Sequence, residues 1–218
     1  MGVGWLNLGE MDLAQRDLDA ALQMLRSNGD RTMESLTLCH LSTLALWQGD
    51  EERALALARS ALDSAIVAQA RDMESVAGLR LGDAELNRGR LAAAREAYAQ
   101  AQALAHKFDL PWQHDATAGL AQVALAAQHT AAARLALQPL LDHLAAGGTL
   151  VGSENPRKIE LTCHRVLACC GDPRATDWLE RAHSALMAQA DSIANSGWRR
   201  SFLQIIPWHR EIVAAFAA

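Results

Sequence analysis

The sequence predicts an all-α fold, a helical-repeat solenoid of about five helix pairs followed by C-terminal capping helices. Three observations predict it. The 218 residues include 44 Ala and 33 Leu against 13 Val plus Ile, a balance that favours helix over strand. One pattern recurs along the chain at an interval of about 40 residues. Within that pattern, small residues return where two helices must approach closely.

The repeat is read first from its turn. Gly9 to Ala14, Gly49 to Ala54 and Gly89 to Ala94 each place a glycine, a polar turn and an alanine five residues on, and Gln128 to Ala133 and Cys170 to Ala175 repeat the pattern more weakly. The anchor alanines Ala14, Ala54, Ala94, Ala133 and Ala175 are separated by 40, 40, 39 and 42 residues. A first helix ends at the turn and a second begins near the alanine. On the second helix, Leu18, Ala58, Tyr98, Leu137 and Leu179, followed by Ala21, Ala61, Ala101, Leu140 and Ala182, complete an i, i+4, i+7 face with the anchors. On the first helix, Gly2, Ser42, Gly82, Ala121 and Cys163 form a small-residue column, beside Met1, Leu41, Leu81, Leu120 and Thr162.

The array is expected to span residues 1–195, with its first unit truncated because Met1 falls partway into a first helix, and 196–218 to supply the cap. The open first unit suggests a piece of a longer protein. The stretch from Ala146 to Pro156, with Gly147, Gly148 and Gly152, lacks the lysine and preceding strand of a phosphate-binding loop and reads as a flexible or partner-contacting segment.

Composition excludes several function classes. A formal charge of −5 with only two lysines, Lys107 and Lys158, disfavours autonomous nucleic-acid binding. No apolar stretch reaches the ~18–20 residues needed to cross a bilayer, and no secretory leader opens the chain, so a cytoplasmic, non-membrane protein is expected. Cys39, Cys163, Cys169 and Cys170 fit neither a disulfide framework nor a zinc knuckle. The histidines show no ligand spacing, and Cys163 beside His164 cannot form a nucleophilic pair because neighbouring side chains diverge on a helix. No metal, no cofactor and no catalytic residue are therefore expected, and the chain is read as non-enzymatic.

The anchored columns resemble the tetratricopeptide repeat (TPR), although its usual period is about 34 residues and the extra residues here lengthen the helices. The resemblance covers nearly the whole chain and implies a right-handed superhelix. The string from Arg200-Ser201-Phe202-Leu203 through Pro207 to His209-Arg210-Glu211-Ile212 is similar to the end of the TPR region in bacterial ATPase-linked adenylate and guanylate cyclases, and in LuxR-type regulators related to the maltose activator. The glycine-rich nucleotide motif, paired catalytic aspartates and helix-turn-helix of such proteins do not occur here.

By analogy with TPR proteins, the columns eleven, eight and seven residues before each anchor line a concave binding face. They offer Thr43, Leu46, Trp47, Asp83, Leu86, Asn87, Gln122, Leu125 and His164 as candidates, with Trp47 as apolar anchor and Asp83, Asn87 and Gln122 as orienting hydrogen-bonders. The lysine/arginine carboxylate clamp of chaperone-binding relatives is missing from these columns. The reading is a non-catalytic protein-interaction and regulatory module, the C-terminal scaffold or sensor region of a larger bacterial signalling protein. Its partner is a protein, a peptide or another domain of the parent chain, and homo-oligomerisation is open. The alternative is a small-molecule sensor that holds its ligand in the concave face.

Overall fold

A computed structural model describes residues 1–217 and contains twelve helices among them, with no strand. They are α1 (Gly2–Asn7), α2 (Met11–Asn28), α3 (Arg31–Trp47), α4 (Glu51–Ala68), α5 (Arg71–Asn87), α6 (Leu91–Lys107), α7 (Gln113–Ala126), α8 (Thr130–Ala145), α9 (Pro156–Cys169), α10 (Arg174–Asp191), α11 (Ser196–Gln204) and α12 (Pro207–Phe216). The chain divides into two compact units, Met1–Leu110 and Pro111–Ala218.

In the first unit three helix pairs, α1/α2, α3/α4 and α5/α6, stack so that each second helix also packs on the next first helix. The long period is absorbed by the helices, since α2 to α6 are each 17 or 18 residues long and the connectors are short. The turn inside each pair is left-handed. At Gly49, φ is +79°, a conformation costly for residues with a Cβ. Its N–H bonds to the Leu46 carbonyl at 3.1 Å and that of Asp50 to Ala45 at 2.9 Å, satisfying the last carbonyls of α3. Asp50 then caps α4, its carboxylate accepting from the Arg53 N–H at 3.1 Å.

The anchors Ala14, Ala54 and Ala94 are fully buried, because a larger side chain would hold the paired helices apart. Hydroxyl groups staple the pairs. Ser42 Oγ donates to the Ala54 carbonyl at 2.8 Å, and Ser35 and Ser75 donate to the carbonyls of Ala61 and Ala101 at 2.8 and 2.9 Å. In α5/α6 the small residue is Gly82, which leaves room for Tyr98. The Tyr98 ring crosses Gly82, and its hydroxyl donates to Asp83 Oδ1 at 2.7 Å while Arg80 Nη1 donates to Oδ2 at 3.1 Å.

In the second unit, α7/α8 and α9/α10 pack around Leu137, Leu140, Ile159, Val166 and Leu167, each at most 1% exposed. Pro139 lies inside α8 and leaves the Leu135 carbonyl without its helical donor, at a residue 75% exposed, where water can replace it. The glycine-rich loop after α8 is tied down. Asp115 accepts the backbone N–H groups of Glu154 and Asn155, both at 3.0 Å, a His143 ring nitrogen meets the Thr149 carbonyl at 3.2 Å, and Leu150 is buried in the core.

The last helix stands in the register of a further first helix. Gln122 of α7 donates to Thr162 of α9 at 2.6 Å, and one repeat later Arg165 of α9, at the same distance from its turn, pairs with Glu211 of α12. The apolar side of α12 is sealed by Ile212, with Phe202 of α11 and Ile206 beside it. His209 is also buried, and its Nδ1–H donates to the Phe202 carbonyl at 2.9 Å. Burial pushes the imidazole pKa down to about 4, against the Phe202 hydrogen bond, and Arg157 pushes the same way. The unfolded chain therefore binds more protons than the folded one between about pH 6.5 and about 4. Stability contributed by neutral His209 is complete above that window and is lost on descending through it, by at most about 3 kcal/mol. His209→Gln is expected to flatten this part of the stability-versus-pH curve, measured by denaturant unfolding from pH 7 to 4; an unchanged slope would remove His209 as the cause.

Candidate binding face

A helix packed on both sides by its neighbours leaves only a narrow stripe in reach of solvent. On α3 that stripe is Leu36, His40, Thr43 and Trp47, all half-buried and spaced by four, three and four residues, with Leu46 beside Trp47. Positions 34, 35, 37, 38, 39, 41, 42, 44 and 45 between them are buried. The stripe thus presents aliphatic, imidazole, hydroxyl and indole groups in one row.

The corresponding stripe of α5 is different. Val76, Arg80 and Asp83 are only 2%, 5% and 8% exposed, and Asn87 alone is open. Asp83 is engaged by Tyr98 and Arg80, so its carboxylate serves the interior. Asn87 Nδ2 donates to the Asp83 backbone carbonyl at 2.9 Å, and Thr43 Oγ1 donates to the Cys39 carbonyl at 3.2 Å. Leu46 and Leu86 are half-buried, Leu46 against the Ala45, Ala54, Leu55 and Ala84 cluster.

In the second unit Gln122 is held by Thr162, and Leu125 packs against the core. His164 turns toward its own partner helix, its Nδ1 lying 2.9 Å from the Ala175 carbonyl, much as Ser42 reaches Ala54. The cause is a one-residue shift. Gly171, the left-handed turn residue, lies four residues before Ala175, whereas Gly49 lies five before Ala54. Counted from the turn, the residue matching Thr43 is Arg165, and Leu167, fully buried, matches Ala45. The leucine column therefore stops at Leu125.

Leu36 and His40 belong to the α3 stripe and are absent from the columns chosen by sequence. Both lie on the helical face of Thr43 and Trp47, Leu36 seven residues before Thr43 and His40 seven before Trp47, but that spacing does not say which face its neighbours leave open.

Two crystal structures of nearly identical TPR-like repeats of a Podosopora anserina kinesin light chain protein are similar to the chain. One has a TM-score of 0.59 at 14% identity, covering 89% of this chain and 94% of that one. The second, a single-residue variant, has a TM-score of 0.60 at 15% identity, covering 88% and 93%. The fold is TPR-like. No protein-family model and no curated protein sequence matches the chain.

The TPR-like units differ in charge. The first carries 11 Lys/Arg against 16 Asp/Glu, a net of −5, and the second 9 against 9, a net of zero. Among the described residues no group of three or more His, Cys, Asp or Glu is placed to hold a metal ion, and no helix is long and apolar enough to cross a membrane. Cys39 and Cys163 are buried, and burial pushes the Cys163 thiol up to about 12, whereas Cys169 and Cys170 are exposed. Titration of the folded protein with a thiol-reactive disulfide is expected to consume Cys169 and Cys170 promptly and Cys39 and Cys163 only on unfolding. Prompt reaction of all the thiols would contradict the packing described for α3 and α9.

Proposed function

We propose that the chain is a non-catalytic protein-interaction module that receives a helical segment of a partner along the Leu36, His40, Thr43 and Trp47 row of α3. The observation that carries this reading is the row itself, an amphipathic strip left half-open on a first helix whose other faces are packed. TPR-like repeats imply protein partners, and a row at helical spacing matches the way an amphipathic helix lies in a groove. Leu46, Leu86 and Asn87 flank the row; Asp83, Gln122, Leu125 and His164 are assigned to packing instead. The regulatory setting, the C-terminal region of a larger bacterial signalling protein, rests on the sequence resemblance of the Arg200 to Ile212 string.

The test places a photo-reactive p-benzoylphenylalanine at Thr43 in the protein expressed in its own cell, with the same group at Gln100, exposed on α6, as control. A polypeptide adduct at Thr43 and none at Gln100 is the expected result. Equal labelling at both positions, or no polypeptide at Thr43, would contradict the reading.

A further inference from the structure

The glycine-rich segment between α8 and α9 is held at both ends and in the middle. In the middle, Leu150 is 6% exposed and belongs to the core with Leu140, Leu141 and Ile159, although Val151 beside it is 84% exposed. At the far end, Asp115 of α7 accepts the N–H groups of Glu154 and Asn155, both at 3.0 Å. At the near end, His143 Nε2–H of α8 donates to the Thr149 carbonyl at 3.2 Å. Gly148 lies against the same imidazole, where a Cβ would stand 2.3 Å from Nε2 and 2.4 Å from Cε1, so only a residue without a side chain fits.

The His143 ring has a second neighbour. The ring of His114, in the first turn of α7, stands 4.6 Å away between centroids and is tilted by 30°. Two neutral imidazoles pack at that distance, whereas two imidazolium ions repel across it. His114 is placed to stay neutral, since it is half-buried and sits at the positive end of its helix. Burial, and after it the charge of His143, holds the His114 pKa below the ordinary imidazole value. The other ionisable groups on the surrounding segments are Asp115 on α7, Asp142 on α8 and Glu154 on the loop, the first taken up by loop amides and the second by Gln138. On α9, Arg157 is turned to Glu160 and Lys158 to the Trp208 ring.

We propose that the segment from Gly148 to Asn155 is a pH-operated strap, closed while the His114–His143 stack is neutral and released when both rings are protonated. The coupling is mechanical. His143 carries the Gly148 backbone against its ring and the Thr149 carbonyl on its Nε2, so a ring pushed away from His114 takes both residues with it. Leu150 is the next residue, and its departure opens an apolar notch in the core of the second unit. Release returns His114 to the ordinary imidazole range, so the closed form is fully favoured above about pH 6.5 and loses ground as the pH falls below it.

The test is amide hydrogen exchange of the full chain at about pH 7.5 and about pH 5.5, read as protection factors so that the intrinsic pH dependence of exchange drops out. That range crosses the imidazole values and stays above those of ordinary carboxylates. In the parent, the Glu154 and Asn155 amides are expected to lose about fivefold in protection at the lower pH, with about tenfold as the ceiling for one imidazole. His114→Phe keeps an aromatic ring without a charge, and His114→Gln removes the charge without a ring; both are expected to hold protection constant. Unchanged protection in the parent would overturn the strap, as would an equal loss in the parent and in both variants. A loss shared by the Val166 and Leu167 amides inside α9 would assign the change to unfolding of the whole unit, the route open to His209, and would overturn the strap as well.

Discussion

Gly82→Val is expected to destabilise the first unit by about 3 kcal/mol, the upper part of the usual range for overpacking a core, and to lower the melting temperature by roughly 6–12 °C. A Cβ at Gly82 would lie 2.6 Å from Cδ1 and Cε1 of Tyr98, inside van der Waals contact. The ring cannot retreat freely, because Tyr98 is 1% exposed and its hydroxyl is fixed 2.7 Å from the buried Asp83. Relief would need either a broken buried hydrogen bond or a shift of α6 away from α5. Gly4→Ala is the control, since a Cβ there meets nothing within 4 Å and gains helix propensity. Calorimetric melting of both variants checks the expectation, and a Gly82→Val protein as stable as the parent would contradict the α5/α6 packing.

The second large effect concerns binding. Trp47→Ala is expected to weaken association with the polypeptide trapped at Thr43 by about 10- to 30-fold, or about 1.4–2 kcal/mol, the scale of an interface tryptophan removed from a packed contact. Leu135→Ala, at a position 75% exposed on α8, is expected to leave affinity unchanged. Affinity measured by surface capture of the purified partner distinguishes the two. Equal losses at both positions would show general destabilisation rather than a contact at Trp47.

Much of the fold was legible because its determinants are local and periodic. The turn glycines and anchor alanines recur at a fixed interval since the same close helix contact is made each time, and Ala14, Ala54, Ala94 and Ala133 are all fully buried. Where a substitute does the same work the signal fades, as at Gln128, which takes φ +60° in place of a glycine. The turn of the fifth repeat is one residue shorter between its glycine and its anchor, which anchors alone do not reveal, and His164 meets the Ala175 carbonyl there.

Long-range partners were the other blind spot. Nothing in the glycine-rich run announces that Asp115, some 40 residues earlier, accepts its backbone N–H groups. Likewise Asp83 reads as a surface carboxylate at its spacing, and only Tyr98 passing over Gly82 makes it a buried acceptor. The candidate row was half legible. Thr43 and Trp47 stood in the chosen columns, but Leu36 and His40, nearer the α3 N-terminus, required knowing which faces α2, α4 and α5 cover.

The most direct measurement of the central claim is the yield of the Thr43 photo-adduct in a Trp47→Ala background, with the folded fraction checked by circular dichroism. If α3 presents the docking row, the yield falls toward the level seen at Gln100 while the helix content is preserved. An undiminished adduct in a folded Trp47→Ala protein would mean that the partner does not rest on this row.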